Sequence, residues 1–113
     1  MKSQEIDNLM QLVLDSWSFD QEHYAHSVGN TESEKLAFAA GHVNDHINES
    51  TGRISRIIGE AQHTGVFDSE PLRQDPRRIV VNGLRLAAVL GISAEELVAD
   101  IHAWAKKYKS PTR

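Results

Sequence analysis

Four residues in the middle of the chain have the types and spacing of a metal site. His42, Asp45, His46 and Glu49 stand at i, i+3, i+4 and i+7. On a helix of 3.6 residues per turn they share one stripe, because residues three and four apart are surface neighbours. Two imidazoles at i and i+4 can hold one transition metal, with a carboxylate completing the set. Carboxylates alone favour magnesium or manganese. The same residues also make an ordinary solvated helix face, with ion pairing to Arg53 and Arg56.

A second polar cluster, Asp20, Glu22, His23 and His26, reads as exposed residues near a helix end. Arg73, Arg77, Arg78 and Arg85 gather around the start of a later helix, where cations oppose the helix dipole. That placement fits either a phosphate or carboxylate site or a row of intersubunit ion pairs. Trp17 and Trp104 fall on apolar faces and read as core. There is no glycine-rich phosphate loop, no nucleophile elbow and no cysteine for thiol chemistry.

The elements that must position these groups are helices. Thr31 to Glu34 is a capping box. Leu36, Ala40, Val43, Ile47, Ile54, Ile58 and Ala61 then form one apolar stripe. Gly65 is the stop signal, so one long helix is expected over about 32–63. The His42/Asp45/His46/Glu49 face lies roughly 120° around the helix from that stripe. Gly41, Gly52 and Gly59 inside it read as mobility or as close approach of another backbone.

A first helix is expected over about 4–28, with an end near Ser18 as the alternative, capped by Ser3, with Ile6, Leu9, Met10, Val13, Leu14 and Trp17 on its apolar face. Residues 66–74 read as a loop. Asp75 as cap and Pro76 at the first helical position open a helix to about residue 90, burying Ile79, Val80, Leu84, Ala87 and Leu90. Ser93 and Glu96 make a second capping box, starting a helix over 94–108 lined by Leu97, Ile101, Trp104 and Tyr108. No segment alternates with the period of a strand.

The expected fold is one all-α domain over 1–113, a four-helix bundle-like arrangement with one long central helix. That helix is long for a chain of 113 residues. Ile54, Ile57 and Ile58 on its second half are left for a second copy to cover, so a homo-oligomer, dimer or larger, is expected. The net charge of −4 argues against general nucleic-acid binding. No apolar run is long enough to span a bilayer, so no membrane partner is expected and the cytoplasm is the expected location.

The stretch Leu84-Arg85-Leu86-Ala87-Ala88-Val89-Leu90-Gly91-Ile92-Ser93-Ala94-Glu95-Glu96-Leu97, followed by Lys106-Lys107-Tyr108, resembles the last two helices of MazG-like nucleotide pyrophosphohydrolases. Those carry a pattern LxRLADxLGIDLEEAV…RRY. Lys35 to Asp45 resembles their KLAxEVGEL helix, and the helix order matches over about 75 residues. The resemblance implies an all-α oligomer that hydrolyses nucleoside triphosphates with magnesium. In the family an E-E-x-x-E stretch and an E-x-x-D hold that ion.

Here the first motif falls on Gly41, His42 and Asp45, and the second on Asp75 and Arg78. Only Asp45 and Asp75 keep an acid, and Arg78 puts a cation at a ligand position. A reconstituted metal set would be His42, Asp45, His46, Glu49 and Asp75. It would take magnesium if the family activity is retained, or a transition metal through His42 and His46. Arg78 and Lys107 are the candidate substrate contacts; the family's basic position near the end of the last helix falls near Ala103, which cannot replace it. Two functions follow. One is a divergent pyrophosphohydrolase with reduced or lost activity. The other is a non-catalytic helical oligomer or partner-binding protein on the same scaffold.

Overall fold

The caps written in the sequence set the helix ends. Thr31 Oγ1 accepts from the Glu34 N–H at 3.0 Å, and the Glu34 carboxylate accepts from the Thr31 N–H at 3.2 Å. Ser93 and Glu96 repeat the box at 3.1 and 3.2 Å. Each box satisfies amides that the first turn leaves without carbonyl partners. Gly65 sits at φ 78° and donates to the Ala61 carbonyl at 2.7 Å. Gly91, at φ 74°, donates to Ala88, and Ile92 donates back to Ala87. That pair of bonds is a Schellman stop, which a Cβ would strain.

The computed structural model describes residues 3–16 and 29–108. Its helices are α1 (Ser3–Ser16), α2 (Glu32–Thr64), α3 (Asp75–Val89) and α4 (Ala94–Tyr108), with a 3-10 turn at Glu70–Leu72 inside the expected loop. All regular elements among the described residues are helical. None of those helices is long and apolar enough to cross a membrane. The expected continuation of α1 to residue 28 lies outside the described residues, as do Trp17 and the Asp20/Glu22/His23/His26 cluster.

The helices pack in series: α2 lies along α3, α3 against α1, and α1 against α4. The core on the α1/α4 side is Met10, Val13, Leu84, Ala87 and Ala94, with Ile6, Val81, Ala88, Ile92 and Leu97 around it. It is small, because only eight apolar residues are buried among those described. Ile79, Val80, Leu90, Ile101, Trp104 and Tyr108 were expected on buried faces and are exposed. The stripe on α4 therefore points largely to solvent beyond Leu97, and Trp104 is not core.

Helix α2 holds the main departure from the sequence pattern. Its buried positions are Ala39, Val43, Ser50 and Ile57, so only Val43 of the apolar stripe is fully covered. At 100° per residue this buried seam is rotated by roughly 50° from the stripe, toward the histidine face. Leu36 and Ile58 are left exposed on the far edge. Ile57 is covered within the chain instead of being left for a second copy. A Cβ added at Gly41, Gly52 or Gly59 would meet nothing within 4 Å. Close backbone approach at these glycines is therefore absent among the described residues.

Candidate functional site

The rotation of α2 turns part of its polar face against α3 and opens a cleft of about 400 Å³ between the two helices. From α2 it is lined by His42, His46, Glu49 and Ser50, and from α3 by Arg77, Arg78, Val81 and Asn82. The spacings are helical on both sides: 42, 46, 49 and 50 on one, 77, 78, 81 and 82 on the other. Measured from the buried seam, His46 lies roughly 35° around α2, His42 about 75°, Glu49 about 95° and Asp45 about 135°. Asp45 is accordingly exposed and does not line the cleft.

At the floor is a row of charges crossing the helix interface. Asp75 is 1% exposed. Its Oδ2 lies 3.5 Å from Arg53 Nε and its Oδ1 3.8 Å from Arg78 Nη1. Arg53 Nη2 reaches the Glu49 carboxylate at 4.0 Å. Neither oxygen of Asp75 accepts a hydrogen bond from a described residue, so the two guanidinium groups compensate its charge. Asp75 is not the cap of α3. That position belongs to Gln74, whose carbonyl accepts from the Arg78 N–H at 3.1 Å, with no side-chain cap. The carboxylate is turned across the interface to α2 because burying it without a cation would cost several kcal/mol.

Above the charge row the two imidazoles meet. His42 Nε2 and His46 Nε2 are 3.3 Å apart, with ring planes at 64° and centroids 4.9 Å apart. Phe38 flanks His42 one turn earlier at 5.8 Å. Burial, and then the neighbouring His46, pull the His42 pKa below its ordinary value, while Asp45 acts the other way. His42 is thus held neutral at physiological pH.

Two buried polar groups complete the walls. Ser50 Oγ, on a residue 1% exposed, makes no hydrogen bond among the described residues. Asn82, 5% exposed, donates Nδ2–H to the Arg78 carbonyl at 2.7 Å, while its Oδ1 accepts nothing. Buried polar atoms of this kind are rare, and in a cleft wall they are suited to a ligand. Arg77 extends over the rim, with Gln74 Oε1 at 3.4 Å and no carboxylate partner among the described residues.

Of the expected site residues, the fold brings His42, His46, Glu49 and Arg78 to one cleft and seals Asp75 beneath it. It leaves Asp45 outside, and places Lys107 on a separate shallow hollow with Asp100, Ile101, Ala103 and Trp104. No group of three or more histidines and carboxylates among the described residues is arranged to hold a metal ion. Arg56 pairs with Glu60, on the same side of α2 but nearer its C-terminal end. Arg85 is buried, which lowers its pKa from the ordinary value, and does not line the cleft. Ser50 and Asn82 escaped the sequence reading, although each lies four residues beyond a residue that it singled out, His46 and Arg78.

The chain matches no family model, no curated protein sequence and no solved structure.

Proposed function

We propose that the α2/α3 cleft binds the phosphate groups of a nucleotide, on a divergent MazG-like scaffold whose magnesium-dependent hydrolysis is reduced or lost. The observation that carries this reading is the charge row. Arg53, Arg77 and Arg78 set three guanidinium groups against the two carboxylates Glu49 and Asp75. Among the described residues, guanidinium groups therefore outnumber carboxylates in and under the cleft, in a chain of net charge −4. Guanidinium groups suit phosphate oxygens through forked, charge-assisted hydrogen bonds. Ser50 Oγ–H can donate to the same oxygens, and Asn82 Oδ1 can accept from a ligand N–H or hydroxyl.

Magnesium does not fit these residues. It needs several oxygen ligands in near-octahedral array. Asp75 is buried between two arginines, Asp45 faces away, and Glu49 is the one carboxylate on the cleft wall among the described residues. A cation about 4 Å from such an ion would oppose it by about 4 kcal/mol per unit charge at an effective dielectric of 20.

Calorimetry with ATP in the presence of a chelator is expected to give binding that weakens with salt. Arg77→Ala should weaken it about tenfold, the size of one lost charged hydrogen bond. Pyrophosphate release with magnesium should stay at background. Release at ordinary enzymatic rates, abolished by Asp45→Asn, would show instead that the magnesium chemistry survives. Absence of ATP binding at millimolar concentration would remove the nucleotide reading.

The oligomer rests on a separate observation. Leu36 and Ile58 on α2, Val66 and Phe67 after it, and Ile101, Trp104 and Tyr108 on α4 are all exposed around a small core. Apolar surface on that scale is suited to burial against another copy. Sedimentation equilibrium at micromolar concentration is expected to give a multiple of 12.6 kDa. Ile58→Asp should lower the mass while leaving the helical circular dichroism intact. A 12.6 kDa species for the unmodified chain would exclude association.

A further inference from the structure

We propose that His42 and His46 form a bidentate chelate for a transition-metal ion of the zinc, nickel or copper class through their Nε2 atoms. The geometry is that of a bite. Zinc–imidazole bonds are about 2.0–2.1 Å, so two of them at a tetrahedral angle place the nitrogens roughly 3.3–3.4 Å apart. The two Nε2 atoms stand 3.3 Å apart, within that span. The ring centroids are 4.9 Å apart, so the Nε2 edges are the ones turned toward each other. One helical turn sets the spacing, and Phe38 packs against the His42 ring from the preceding turn.

In the metal-free pair, one Nε2–H can donate to the other Nε2 as a simple hydrogen bond. Metal binding shifts that hydrogen to Nδ1, so that both Nε2 lone pairs face the ion. Imidazole is a borderline donor that suits zinc, nickel and copper and does not suit magnesium. The remaining positions face the cleft, where water can fill them. Glu49 lies on the next turn, held near Arg53 at 4.0 Å. Among the described residues no third histidine or carboxylate is arranged with the pair, so the proposal is confined to the two imidazole ligands.

This site shares the cleft with the proposed nucleotide but does not depend on it, and its test contains no nucleotide. Calorimetry of the full chain with zinc chloride, and separately nickel chloride, is expected to give one saturable site per chain. His42→Ala and His46→Gln should each weaken it at least about tenfold, since even a lost outer-sphere partner of a metal-bound histidine costs that much. His63→Ala, at the exposed end of α2, should bind as the unmodified chain does. Side-chain nitrogen resonances of His42 and His46 should move together on zinc addition, with hydrogen on Nδ1 in both. Excess magnesium should displace nothing.

Circular dichroism keeps the variants interpretable, because it reports whether each one retains the helical fold. Equal heats for the unmodified chain, His42→Ala and His46→Gln would overturn the proposal. Displacement of zinc by magnesium would do the same, since it would mean a site of oxygen ligands.

Discussion

Arg53→Met is expected to destabilise the protein by about 3 kcal/mol, the lower end of the cost of breaking a buried ion pair from one side. The carboxylate left behind belongs to Asp75, which is 1% exposed and accepts no hydrogen bond from a described residue. Arg78 remains, but at 3.8 Å and with 40% of its side chain exposed to solvent. Asp75→Asn should cost less, about 1–2 kcal/mol, because the guanidinium groups it abandons can turn toward water. The double variant should be more stable than the sum of the two losses predicts, since neither charge is then stranded.

At about 4 °C per kcal/mol for a domain of this size, Arg53→Met should lower the melting temperature by about 12 °C. Urea unfolding of all four proteins at one protein concentration checks the order, because association would otherwise shift the midpoints. If Asp75→Asn proved the more damaging single change, the carboxylate would not be the buried, dependent partner.

The second large effect is expected at Leu84, where truncation to alanine should cost about 3 kcal/mol. Leu84 is 6% exposed and sits among Met10, Val13, Ala87 and Ala94, where α3 meets α1 and α4. A core of so few residues has little capacity to collapse around the lost volume. Leu90→Ala, six residues on at the C-cap of α3, should cost less than about 1 kcal/mol because Leu90 is 52% exposed. The pair is informative because periodicity alone puts both leucines on the buried side of the helix. Equal losses at the two positions would mean that α3 is set differently against its neighbours.

The helix ends and the candidate ligands were legible in the sequence, for local reasons. Thr31 with Glu34, and Ser93 with Glu96, satisfy amides within their own first turns. Gly65 and Gly91 take positive φ just past the last turns of α2 and α3. The His42–His46 pair likewise needs only the pitch of one helix. None of these depends on what the helix packs against.

What the tertiary structure decided is which way α2 faces. Periodicity gives the width of an apolar stripe, but the neighbour selects the part of it that is buried. Asp75 on α3 pairs with Arg53 on α2, and that polar contact goes with a seam through Ala39, Val43, Ser50 and Ile57. The same rotation draws His42, His46 and Glu49 into the cleft, turns Asp45 out of it, and exposes Leu36 and Ile58. Asp75 shows why this was beyond the sequence. At the start of a helix, beside a proline, an aspartate has the local pattern of a cap. Its role as a buried counterion depends on an arginine from another helix, and a buried charge is compensated by whichever cation the fold brings within reach.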